Sequence, residues 1–209
     1  MTLRLAHIAA LTLGSALFAG AVANAAPPGL HDPDWPCQQI KVPQLSLAAV
    51  WAGPPVDPQQ IDWQHDQPVN DLAHEIAQRR VPLAQAQEQI HAFAQQAQEN
   101  KRQKLLALLA GLFDVLDAER SAVIAGLDRF GARQQELAAG IREDNEKLRQ
   151  MQADSAADTG EVNQMVQRVT WEAEVFQDRR QSLSYACDVP GTIEQRLFAL
   201  ARTIQQELQ

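Results

Sequence analysis

Ten of the eleven prolines in this 209-residue chain fall between Pro27 and Pro82, and the eleventh is Pro190. Inside a helix, proline lacks the amide donor and clashes with the preceding turn, at about 3 kcal/mol. The 107 consecutive proline-free residues between Pro82 and Pro190 are therefore where long helices can run. Residues 26–69 must instead be broken into short pieces.

In the proline-poor part, apolar residues recur at helical spacing. Asn70 is placed to cap a short helix over 70–80, with Leu72, Ala73 and Ile76 on one face. Pro82 suits the first turn of a second helix, 83–99, which carries Leu83, Ala86, Ile90, Phe93 and Ala97 at spacings of three and four. The polar residues 98–104 leave open whether this helix runs into the next. Over 103–152, Leu105, Leu109, Leu112, Leu116, Val123, Leu127, Phe130, Leu137, Ile141, Leu148 and Met151 keep a heptad-like seam, interrupted by Gln134 and Asp144. At 1.5 Å per residue that is roughly 70 Å of helix. Gly111, Gly126, Gly131 and Gly140 sit inside it at about 1 kcal/mol each relative to alanine, which points to close approach of a neighbour or to a bend.

The residues Asp154-Ser155-Ala156-Ala157-Asp158-Thr159-Gly160 have turn chemistry and lack the alternating oxygen ligands of a calcium loop. A second seam follows over 161–187, through Val162, Val166, Val169, Ala173, Phe176, Leu183 and Cys187. Two seams joined by a short loop fold back as an antiparallel hairpin. Folding about residue 156 or 157 sets Met151 beside Val162, Ile141 near Ala173, Leu137 near Phe176 and Phe130 near Leu183. In that register Asp144 meets Arg168, and Cys187 comes to lie near Gly126. Pro190-Gly191 should end the return helix, and Thr192 with Gln195 should form a capping box for a last helix, 192–208, striped by Ile193, Leu197, Leu200, Ala201 and Ile204.

The stretch 105–116 is apolar on nearly every side and needs partners on several faces. The expected fold is thus all-α: a small helical bundle head over 70–209, a long antiparallel two-helix, coiled-coil-like arm, and an irregular Pro/Trp-rich segment, 26–69, wrapping it. That segment holds Trp35, Trp51 and Trp63, each able to bury about 200 Å². Short helices are expected near 45–51 and 58–63.

Residues 1–25 read as a secretory signal: Arg4, an apolar stretch over 5–22, then Ala23-Asn24-Ala25, with cleavage after Ala25. Cleavage removes one base and no acid, taking the net charge from −8 to −9. No span remains to cross a membrane afterwards. Two cysteines, Cys37 and Cys187, are most simply one disulfide in an oxidising compartment. No Cys-x-x-Cys-His is present to attach a haem.

The acidic balance, 26 Asp and Glu against 18 Lys and Arg, argues against nucleic acid and anionic membrane surfaces as partners. His74-Glu75-Ile76-Ala77-Gln78 departs from the zinc-protease pattern at its second ligand, and no phosphate loop or nucleophile motif occurs. No catalytic residue, cofactor or metal site is assigned.

The stretches Asp34-Trp35-Pro36-Cys37, Trp51-Ala52-Gly53-Pro54, Arg79-Arg80-Val81-Pro82-Leu83, Arg129-Phe130-Gly131, Asp178-Arg179-Arg180-Gln181-Ser182-Leu183 and Ile193-Glu194-Gln195-Arg196-Leu197-Phe198 resemble a family of uncharacterised exported proteins of Gram-negative bacteria. The resemblance implies a shared periplasmic architecture and transfers no catalytic residue.

The expected function is non-enzymatic: a periplasmic protein acting through protein–protein contact as adaptor, chaperone or assembly factor, or through self-association at leftover apolar positions such as Val115, Ile124 and Trp171. The alternative is a small-ligand or metal-binding module that gathers His31, Asp32, Asp34, Asp62, His65 and Asp66 with the tryptophans of the N-terminal segment.

Overall fold

The structure, a computed structural model, describes Asp32 and residues 34–209. Residues 1–31, which include the expected export signal over 1–25, and Pro33 lie outside the described residues. Among the described residues six α-helices follow in order: α1 (Leu47–Val50), α2 (Gln67–Ala77), α3 (Leu83–Gln96), α4 (Lys101–Ala153), α5 (Thr159–Cys187) and α6 (Val189–Glu207). Single 3₁₀ turns occur at Pro58–Gln60 and Gln98–Asn100, and there is no strand among the described residues. They belong to a single unit, His31–Gln209.

The proline map is obeyed, with two adjustments. α2 starts at Gln67, because Asp66 rather than Asn70 is its cap: the Asp66 carboxylate accepts from the Val69 amide, and Pro68 sits in the first turn, where it is tolerated. Asn70 lies inside the helix and donates to the Gln64 carbonyl. Pro190 does not separate α5 from a capped α6. A single residue, Asp188, still in αR geometry, divides them, and Pro190 falls in the first turn of α6. The Thr192 hydroxyl donates to the Asp188 carbonyl at 3.0 Å, so the expected capping box with Gln195 is absent. The return path is one nearly continuous rod from 159 to 207.

At the other corner, α3 and α4 are separate helices. Gln98 takes a positive φ of 43°, and this breaks the path between them. At the hairpin tip, Asp154 Oδ1 accepts from the Ala156 amide at 2.8 Å and Asp158 Oδ1 caps α5 through the Glu161 amide at 3.0 Å.

The head is built on the apolar start of α4. Leu105, Leu108, Leu109, Leu112 and Leu116 are fully buried against Val69, Ala73 and Ile76 of α2, Ala86 and Ile90 of α3, and Ile193, Leu197, Leu200 and Ile204 of α6. Each fully buried leucine or isoleucine contributes about 1.5–3 kcal/mol. Trp51 and Trp63 close this core, so the N-terminal segment is part of it. Trp63 donates to Asp114 Oδ2 at 2.8 Å and lies on Gly111, where a Cβ would come within 2.8 Å of the indole. Gly111 thus serves close approach.

Beyond the head, α4 and α5 pack mainly on each other. Phe130, Leu137, Ile141, Leu148, Val162, Val169, Phe176 and Leu183 are all half-buried, as a two-helix seam requires, and Met165 is the buried residue of α5. Val166 is exposed instead of lining the seam, its place taken by Met165 one residue earlier. The register follows cross-hairpin pairs: Arg168 lies 3.8 Å from Asp144, and Gln134 Nε2 donates to the Phe176 carbonyl. Arg120 to Glu194, at 2.6 Å, carries the same antiparallel register past Pro190 into α6.

Candidate functional site

Residues 34–44 form a strap across the middle of α4. The side of α4 beneath it carries Asp117, Arg120, Ile124, Asp128 and Gly131, spaced three, four, four and three apart, so they share one helical face. Arg120, Ile124, Asp128 and Gly131 meet the strap or its cavity, and Asp117 meets Leu45 just past its end. The Leu45 amide donates to Asp117 Oδ1, Arg120 Nη2 donates to the Val42 carbonyl at 2.7 Å, and Lys41 Nζ reaches Asp128 Oδ2 at 2.9 Å. At the far end the Asp34 carbonyl and Pro36 lie against Gly131. The disulfide Cys37–Cys187, Cα atoms 5.6 Å apart, fastens the strap to the end of α5. There are no free cysteines.

The electrostatics of the strap centre on Lys41. Asp32 first, and Asp128 after it, hold the Lys41 ammonium above the usual lysine range, while Lys41 holds the Asp32 carboxyl below the usual carboxylate range. Asp32 is exposed while Lys41 and Asp128 are half-buried, so solvent screens these pairs and they contribute little. Arg120 is different, since its side chain is only 3% exposed. Its Nε and Nη2 are satisfied by Glu194 and Val42, but Nη1 has no partner, and Asp128 Oδ1 is likewise buried and unpartnered. A stranded buried polar atom costs about 1–3 kcal/mol.

Cavities flank the disulfide. One of about 360 Å³ lies between the strap and the α5–α6 corner, lined by Trp35, Ile40, Val42, Arg120, Ile124 and Cys187. Another of about 360 Å³ opens on the other side of Cys187 and is lined by Cys37, Arg180 and Leu183. A third, about 280 Å³ and walled by Val123, Gly126, Leu127, Phe130, Leu183 and Ala186, marks the seam at the base of the arm.

No family model, no curated protein and no solved structure matches the chain.

Among the described residues, those named for a metal module are drawn into separate contacts. Asp32 is held by Lys41, Asp62 pairs with His65 at 2.6 Å, and Asp66 caps α2 and contacts Lys104; His31 lies outside the described residues. The Asp62 carboxylate raises the His65 pKa, and His65 lowers that of Asp62, so the two form a solvent-exposed pair that is ionic when His65 is protonated. Among the described residues no three His, Cys, Asp or Glu side chains are grouped to hold a metal. His74 stands against the Trp63 indole at 5.8 Å between ring centroids. No helix among the described residues is long and apolar enough to cross a membrane.

Of the apolar positions expected to be left over, Ile124 is 5% exposed beneath the strap and Val115 packs on the core, whereas Trp171 on the arm is 63% exposed. Arg120, Lys41 and Asp128 went unnoticed in the sequence. Their signal was the three-four spacing of Arg120, Ile124 and Asp128, which reads as a mixed surface stripe until the strap is laid over it.

Proposed function

We propose that this is a non-enzymatic, exported protein that works by protein–protein contact, with the helical arm as its contact surface. The observation that carries this reading is Trp171. A tryptophan 63% exposed in mid-arm, with Val166 exposed nearby, is apolar area that neither α4 nor the head covers. Tryptophan is enriched at contact surfaces because it brings large area at small conformational cost. The arm itself supports the same reading, because about 25 residues of each helix run past the head core, far more surface than a pocket needs. The cross-link between Cys37 and Cys187 supports an oxidising compartment, and with the resemblance it favours the periplasm.

The test is a photo-crosslinking residue placed at 171 in the full chain, in intact cells, against the same residue at Leu83 on the exposed face of the head. Adducts of defined mass at 171 and none at 83 are expected. Equal adducts at both positions, or none at either, would remove the arm from the reading.

A further inference from the structure

None of the described residues from 32 to 44 is buried, yet Arg120, Ile124 and Gly131 beneath them are. The strap covers a face to which it contributes almost no apolar interior of its own. Among the described residues its non-covalent hold on the helices includes the Lys41 pair with Asp128, the Arg120 bond to the Val42 carbonyl, the bond from Gln39 Nε2 to Asp188 Oδ1 at 3.3 Å and the packing of Pro36 on Gly131. The solvent-screened Lys41 and Gln39 contacts contribute little, which leaves the bond from the buried Arg120 as the stronger of the polar contacts.

Closure also works against itself. Four buried side-chain polar atoms lack a partner among the described residues, and two of them, Arg120 Nη1 and Asp128 Oδ1, lie on the stripe that the strap crosses. Both regain water if the strap leaves. The head does not depend on these residues. Its links to the N-terminal segment, Trp51 and Trp63, lie beyond the strap, buried in the core.

We propose that the strap is a redox latch: reduction of Cys37–Cys187 by a dithiol frees residues 34–44 from α4 and opens the Arg120, Ile124, Asp128 and Gly131 face to water while the head stays folded. A thiolate of the dithiol attacks one cysteine sulfur, and the other cysteine leaves as thiolate and is protonated. The dithiol's second sulfur then displaces the first cysteine. Two electrons pass to the protein, which ends with two thiols, and the reagent ends as its own disulfide. The bond is reachable, since Cys187 lines cavities on two sides. This device stands independently of the arm's role as a contact surface.

The test uses the full mature chain, oxidised or reduced with dithiothreitol and trapped with iodoacetamide. Trypsin cleavage after Lys41 reads strap release, and hydroxyl-radical labelling of Ile124 reads exposure of the covered face. Reduction is expected to speed cleavage by about tenfold or more, because cleavage follows the open population. Labelling of Ile124 should rise in parallel, with Leu108 and Leu112 of the head unchanged. Cys37→Ser should reproduce both effects without reductant. Unchanged cleavage and labelling in the reduced chain would overturn the latch. So would a parallel rise at Leu108 and Leu112, because the bond would then be holding the whole fold.

Discussion

The Asp34 carbonyl oxygen lies against the Cα of Gly131, so close that a Cβ there would overlap it. Gly140, nine residues further along the same helix, has nothing within 4 Å of the same position. The two glycines separate intrinsic helix propensity from packing. Gly140→Ala should raise stability by about 1 kcal/mol, the ordinary glycine-to-alanine gain in a helix interior. Gly131→Ala gains the same propensity but drives a methyl into the strap, and should lower stability in the oxidised protein. Urea denaturation of both variants checks the contrast, and equal gains would mean that the strap yields without resistance.

Arg196 is buried on α6, and both Nε and Nη2 donate to the Ile76 carbonyl, at 2.9 and 2.6 Å. Burial lowers its pKa, with Glu119 acting in the opposite sense. The Ile76 carbonyl belongs to the last turn of α2, whose end leaves such groups without a helical partner. Arg196→Met removes this cap and should destabilise the protein by about 1–3 kcal/mol. Arg196→Lys should recover only part of the loss, since an ammonium cannot match the two-pronged contact. Thermal melts of the three proteins test the order.

Glu207 ties the end of α6 to the start of α4 and to α3: Lys101 Nζ lies 2.9 Å from one carboxylate oxygen and His91 Nδ1 lies 2.7 Å from the other. Lys101 first, then His91, hold its pKa below the usual 4.5. A depressed acid contributes stability that is in place above its unfolded pKa and disappears as pH falls through the folded value. Stability should therefore drop below about pH 4.5, and Glu207→Gln should flatten that part of the profile while leaving the neutral-to-alkaline side in shape. Urea midpoints across pH 3–7 would decide it.

Trp171 projects from the arm into solvent, so Trp171→Gln should change folding stability by less than about 0.5 kcal/mol. The same change should abolish adducts formed from neighbouring arm positions if the arm is the contact surface. A large loss of stability would mean that the indole packs on the hairpin.

Much of the architecture was legible because proline and heptad spacing act locally. The proline-free interval contains α3, α4 and α5, and the seam periodicity places Phe130 and Leu183 on the same cavity wall. What escaped depends on distant partners. Arg120 and Arg196 look like surface charges in sequence, and they are buried only because the carbonyls of Val42 and Ile76 arrive from 78 and 120 residues away. Pro190 reads as a terminator, but in a first turn it removes a donor that has no helical acceptor there, so the rod runs on almost unbroken. Asp66 outcompeted Asn70 as a cap because Pro68 already fixes the start of that turn.

Cys37 and Cys187 stand 150 residues apart, one near the beginning of the chain and the other almost nine-tenths of the way along it. A polypeptide appearing from its amino end presents the first sulfur long before the second exists. The two rods can zip from their shared turn outward, because their nearest pairs are neighbours in sequence and little loop entropy opposes them. Stitching the front of the molecule to its waist is accordingly a late event in assembly, and a chain cut short before residue 187 would have two sides of a hairpin and no eyelet for its lace.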